Sequence, residues 1–135
     1  MAADWAPVRE WHRAVNERDA SAARAVAAED IVMSGPRGET SGVDSLAGWV
    51  EHAGIHLRAV SWHAVDGSTV IVEQDATWPS APHADPDAAP VRLATLFRLR
   101  DDHITAVLRY DGLTQALTAA AGHGPALDRP SGSGG

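Results

Sequence analysis

The chain has 135 residues, a formal net charge of −7 and 44% hydrophobic residues, enough for one core and too few for two. It contains no cysteine, and all 11 basic residues are arginine, so disulfides, thiolate metal sites, Schiff-base catalysis and lysine-dependent phosphate loops are excluded. The acidic balance and scattered arginines argue against a nucleic-acid partner, and no run of about 18 apolar residues is present to span a membrane.

The start, Met1-Ala2-Ala3-Asp4, lacks a basic segment followed by an apolar one, which reads as cytoplasmic. The absence of lysine beside abundant Ala, Gly, Arg and Pro points to a GC-rich bacterial genome. From Trp5 to Arg18, Val8, Trp11 and Val15 recur at helical spacing, with Asp4 as cap and Pro7 tolerated in the first turn. A second helix is expected over Ala20–Ala28, capped by Asp19. Ile31 to Ser34 and Glu39-Thr40 then read as a short hairpin around Gly35-Pro36-Arg37-Gly38. Ser41 is the expected cap of a third helix, with Asp44 completing a partial capping box, inner residues Leu46, Trp49, Val50 and Ala53, and Gly54 as its end.

From residue 56 the period changes to alternation. Strands are expected over Leu57–Val65, Thr69–Trp78, Val91–Arg100 and His103–Asp111, with Asp66-Gly67 and Asp101-Asp102 as turns. Residues 79–90 form a loop long enough for a lid, and the Gly-, Ser- and Pro-rich tail 122–135 reads as disordered, leaving one domain over 1–121. Helices followed by an antiparallel meander make the fold class α+β. Leu93, Thr95, Phe97 and Leu99 share one strand face, expected inward. Arg92, Ala94, Leu96, Arg98 and Arg100 share the other.

Several residues stand out chemically. Five of the few aromatic side chains are tryptophans, and Trp11, Trp49 and Trp78 suit either an ordinary core or the walls of an apolar pocket. Arg109 and Asp111 lie two apart near the end of the last strand and share a face, where the arginine would hold the aspartate ionised. The plain alternative is that Asp111 terminates the strand or caps the segment Leu113–Ala121. His12 and His63 are acid–base candidates. His52 and His56 have metal-clamp spacing, but Gly54 between them breaks the helix and no third ligand stands near, so no metal is expected.

Four local marks carry a resemblance: Asn16-Glu17-Arg18-Asp19, Ala28-Glu29-Asp30-Ile31, Thr40-Ser41-Gly42, and Asp102-His103-Ile104-Thr105 leading to Arg109-Tyr110-Asp111. In their order and spacing over residues 5–117 the chain resembles the nuclear-transport-factor-two-like superfamily, in its SnoaL-like branch. The resemblance implies a cone-shaped curved sheet, mixed or antiparallel, wrapped around three N-terminal helices (a cystatin-like roll) and enclosing a pocket. It also implies a homodimer through the outer sheet face.

The superfamily's activities can be tested residue by residue. The ketosteroid isomerase positions fall at Trp11, Gly35 and Thr95, none of which can do its task. The limonene epoxide hydrolase pair falls at Glu73-x-Asp75 and lacks its arginine. The SnoaL-like cyclase aspartate falls at Asp111, with Arg109 in place of the family's histidine. The resemblance thus implies a small apolar ligand held by Trp11, Trp49, Phe97, Thr95, His63 and Trp78, with Arg109 and Asp111 at the polar end. Any chemistry would be cofactor-free cyclisation or isomerisation of a carbonyl compound. A non-catalytic dimeric carrier or assembly module, its pocket filled by its own side chains, stays open beside it.

Overall fold

Trp5 and Arg18 take left-handed backbone, φ 55° and 56°, and bracket the first helix, α1 (Ala6–Glu17). The computed structural model describes residues 5–35, 38–78 and 89–122. The cap predicted at Asp4, the loop over 79–88 and the tail beyond 122 lie outside them. Pro7 occupies the first turn of α1, where its missing N–H costs nothing. After Arg18 the chain reverses, and the Asp19 carboxylate accepts the Ala22 N–H at 3.0 Å, starting α2 (Ala20–Val26) as the sequence predicts.

The second helix is shorter than predicted, because the chain turns extended at Ala27 and enters β1 (Ala27–Gly35), which pairs with the short β2 (Gly38–Ser41). The helix α3 (Val43–His52) is capped by Gly42, not Ser41: the cap residue has φ 98°, which a side chain resists, and no side-chain cap bond forms. Gly54, at φ 66°, lies just past its end. Four long strands complete the sheet: β3 (His56–Asp66), β4 (Thr69–Thr77), β5 (Val91–Arg100) and β6 (His103–Tyr110). Asp66 accepts the Ser68 N–H in the β3–β4 turn, and Asp101 and Asp102 both take positive φ in the β5–β6 turn, as two-residue hairpins require. The segment Leu113–Gly122 is a fourth helix, α4.

The six strands form one curved, unclosed sheet in the order β2-β1-β6-β5-β4-β3. It is mixed: β1 runs parallel to β6, and all other neighbours are antiparallel. The fold is α+β, as the pattern of elements predicts. Its main core lies between α1–α3 and the inner sheet face, where Val8, Trp11, Val15, Leu46, Val50, Leu57, Val72, Leu93 and Phe97 are buried together. Asn16 pins α1 to the sheet, donating to the Leu57 carbonyl at 2.9 Å and accepting the Leu57 N–H at 2.8 Å.

The outer face departs from the expectation of a surface left free for a partner. The helix α4 lies across it, and Ile71, Ala94, Leu96 and Ala116 form a second, fully buried cluster with Leu108, Tyr110 and Leu113 packed against it. Ala94 and Leu96 are apolar because the chain's own last helix covers them. No helix among the described residues is long and apolar enough to cross a membrane.

Candidate functional site

The inner face carries a line of polar side chains inside an apolar shell. On β4, Val70, Val72, Gln74 and Ala76 alternate inward, all with no solvent exposure, so Gln74 is a fully buried amide. It is paired on both sides. The Thr95 hydroxyl donates to Gln74 Oε1 at 2.7 Å, and Gln74 Nε2 donates to His12 Nε2 at 2.8 Å. His12 Nδ1 in turn donates to the Val8 carbonyl at 2.8 Å, within α1. Burial pushes the His12 imidazole below its ordinary value, and the Val8 contact only partly pulls it back. The chain Thr95–Gln74–His12–Val8 therefore contains a neutral histidine and no unmatched group.

Aromatic rings surround it. Trp11 and Trp49 stack, with centroids 5.9 Å apart and planes 15° from parallel, and Phe97 meets Trp11 edge-on at 5.0 Å. Trp11 is 2% exposed and Phe97 0%. Trp78 is partly buried against the same core. The Trp11 indole N–H is buried and, among the described residues, has no hydrogen-bond partner. Leaving such a donor unpaired costs about 1–3 kcal/mol, so it marks a place where an acceptor belongs.

Arg109 is a second donor nearby, only partly buried. Its neighbours Leu108 and Tyr110 pack outward against the α4 cluster, so Arg109 points inward, and its cross-strand partner is Thr95. Directly opposed residues have Cα atoms about 4.5–5.5 Å apart. Among the described residues the half-buried Arg109 guanidinium makes no hydrogen bond or close ion pair. Its burial lowers its pKa, and the charge of Asp111 partly restores it. Asp111 itself is exposed, just beyond the end of β6.

Two residues sit differently from the sequence-based expectation. Leu57 and Ala59 face inward, and simple alternation would put Ser61 and His63 there too. A bulge between Ala59 and Ser61 shifts the register, so Ser61 lies opposite Glu73 and His63 opposite Ile71, on the outer face. There His63 Nε2 contacts Ser61 Oγ at 2.7 Å, and Ser61 donates to Glu73 at 2.9 Å. The bulge brings Trp62 inward instead, opposite Val72, with its ring 5.8 Å from His12 and under the Arg9 guanidinium at 5.7 Å. Glu73 and Asp75 also face outward. Arg92 and then Arg58 hold Asp75 below the usual carboxylate range. His52 bonds the Gly48 carbonyl, His56 begins β3, and no group of three metal-ligating side chains occurs among the described residues.

Two shallow surface depressions, one lined by Ala28, Asp30, Arg100 and His103 and the other by Pro7, Glu10 and Val26, reach none of the inner-face residues. The described interior is packed by rings and has the Thr95–Gln74–His12 line through it.

Residues 8–107 match the family model of the SnoaL-like domain. The chain belongs to the SnoaL-like family. No curated protein matches it. Among solved structures, it is similar to an NTF2-like protein of unknown function from Cytophaga hutchinsonii, at 18% identity over 82% of this chain and 90% of that one, with a TM-score of 0.67. It is similar to a protein of Sinorhizobium meliloti assigned as a polyketide cyclase, at 20% identity over 76% of this chain and 92% of that one, with a TM-score of 0.65. It is also similar to a computationally designed 17-OHP binder, at 16% identity over 77% of this chain and 86% of that one, with a TM-score of 0.61. At these identities the likeness is one of fold.

Within this SnoaL-like fold, sequence reasoning missed Gln74, and counted Trp62 among the five tryptophans without placing it at the site. The signal for Gln74 was present: it is the one amide in an otherwise apolar inward set, Val70, Val72 and Ala76. Nothing local marks the bulge that turns Trp62 inward.

Proposed function

We propose that this SnoaL-like protein binds a small, flat, apolar molecule bearing an acceptor oxygen, between α1, α3 and the inner sheet face. One observation carries the reading: the aromatic interior holds a buried donor that no described residue satisfies, the Trp11 indole N–H, on the same sheet face as the partly buried Arg109 guanidinium. Trp11, Trp49, Phe97 and Trp78 supply apolar walls, and Thr95 and Arg109 the polar end. Trp49, only partly buried, is the ring that moves to admit the ligand.

Catalysis in this reading is cofactor-free acid–base chemistry on a carbonyl compound, a cyclisation or an isomerisation. Asp111 takes a proton from the carbon beside the carbonyl, and Arg109 donates to the oxygen that becomes the enolate. Unchanged turnover of an identified substrate by Asp111→Asn removes the catalytic half of the proposal.

A second reading is a non-catalytic carrier or assembly module. It is favoured by the closed stack of Trp11, Trp49 and Phe97 and by the exposure of Asp111. The homodimer implied by the resemblance belongs, in either reading, on the β3–β4 side of the outer face, where Arg58, His63, Glu73 and Arg92 stand clear of α4.

Calorimetric titration with 2-naphthoate tests the binding site. Saturable binding, weakened roughly tenfold in Arg109→Gln by loss of a charged hydrogen bond, supports the first reading. No binding to wild type supports the second in its assembly-module form.

A further inference from the structure

The polarity of the buried hydrogen-bond line fixes what Thr95 can offer a ligand. The argument starts from the Val8 carbonyl, which can only accept. His12 Nδ1, 2.8 Å away, must therefore carry a proton. The imidazole is buried, with no carboxylate bonded to it, so it is neutral and its other nitrogen, Nε2, has none. Nε2 then accepts, and the Gln74 group facing it at 2.8 Å is the amide NH2. That orients the amide oxygen toward Thr95, and an amide oxygen can only accept. The single hydroxyl proton of Thr95 is thus committed to Gln74 at 2.7 Å. The opposite orientation of the amide would need both imidazole nitrogens protonated, a charged histidine in the core.

What Thr95 keeps is an oxygen lone pair and no proton. Its cross-strand partner on the same face is Arg109, which has donors and no acceptor. The two neighbouring groups therefore have opposite and fixed hydrogen-bonding senses. We infer that the inner face selects a ligand carrying a hydroxyl or amino donor for Thr95 beside an anionic or carbonyl oxygen for Arg109, that is, a hydroxy- or amino-substituted aromatic acid or ketone. Gln74 and His12 are positioning residues here: they touch no ligand and set the sense of Thr95. The same logic explains why Thr95 cannot serve as a donor to an enolate, although it falls at a position where ketosteroid isomerases place one.

The inference rests on the proposed binding site, and the test separates the two. Binding of 2-naphthoate, 4-hydroxy-2-naphthoate and 4-fluoro-2-naphthoate is measured by calorimetry. Fluorine is close to hydroxyl in size and cannot donate. The expected result is that wild type binds the hydroxy compound roughly tenfold more tightly than the fluoro compound, the worth of one hydrogen bond in a desolvated site. Thr95→Ser should keep this ratio and Thr95→Val should bring it close to one. Thr95→Val leaves Gln74 Oε1 without its donor, so the wild-type ratio and Thr95→Ser decide the matter should that variant not fold. Equal binding of all three compounds to wild type overturns the inference while leaving the binding site standing. So does a tenfold ratio that persists in Thr95→Val. Absence of binding by all three overturns both.

Discussion

Trp62 and Leu57 face the same side of the sheet although an odd number of positions separates them along β3. A regular strand would set them on opposite faces. The extra residue of the bulge near Val60 reconciles them, and it also sets the half-exposed Trp62, rather than His63, on the inner side of the sheet.

Deleting Val60 should remove the bulge and leave Trp62 on the inner face and His63 on the outer one, because Leu57 and Trp62 are then an even number of positions apart. The Arg9–Trp62 and His12–Trp62 contacts should persist. Denaturant unfolding of this variant should stay within about 1–2 kcal/mol of wild type, since no side chain changes face. Loss of the Trp62 contacts, read from the Trp62 indole resonance, would mean that the register of β3 is set elsewhere.

The Thr95–Gln74–His12 line should behave as a unit. Gln74→Leu strips the partner from both Thr95 and His12 and should cost about 2–4 kcal/mol in denaturant unfolding, since two buried groups lose their bonds. Adding Thr95→Val to it should cost much less than the sum of the single changes, because the hydroxyl has already lost its acceptor. Strict additivity would show that the two side chains are not coupled.

The His12 imidazole is held below its ordinary value of 6.5 by burial. The unfolded chain therefore binds this proton before the folded one as pH falls. The resulting stability is complete above pH 6.5 and is lost as pH drops toward the depressed folded value. Thermal midpoints of wild type and His12→Gln should accordingly converge between about pH 7 and pH 5. Carboxylates such as Asp19 and Asp75 titrate in both proteins and cancel in the difference. A gap that is independent of pH would contradict the assignment of a neutral, buried His12.

The fold was largely legible in the sequence because its signals are local. Asp19 caps as predicted, Asp66-Gly67 turns as predicted, and the inward set Leu93, Thr95 and Phe97 follows from strict alternation on β5. What escaped sequence reading depends on long-range geometry. The bulge of β3 is set by its pairing with β4, so His63 was expected inward and Trp62 was given no place at the site. Likewise, sequence reading left the outer stripe of Ala94 and Leu96 to a dimer partner or to water. Only the path of α4 shows that the chain covers this stripe itself. On the inner face, Trp11 and Thr95 are buried on the sides that helical spacing and strand alternation set for them. The hydrogen-bond line that joins Thr95 to His12 spans three elements and has no local signature.

The covering role of α4 gives a fourth prediction. A chain ending at Gly112 should expose Ile71, Ala94 and Leu96, at about 1.5–3 kcal/mol for each large apolar side chain returned to water. Light scattering should then report association beyond that of the full chain. A shortened chain as soluble and as stable as the full one would mean that α4 contributes nothing to the outer face.

The central claim, that the unmatched Trp11 donor of the inner face awaits a ligand oxygen, is tested most directly by the Trp11 indole N–H resonance during a titration with 2-naphthoate. Spectra of Trp11→Phe and Trp49→Phe identify the signal. The account predicts a large, saturable shift of the Trp11 resonance as its buried N–H gains an acceptor. Saturable binding that leaves this resonance unmoved, or no binding, would contradict it.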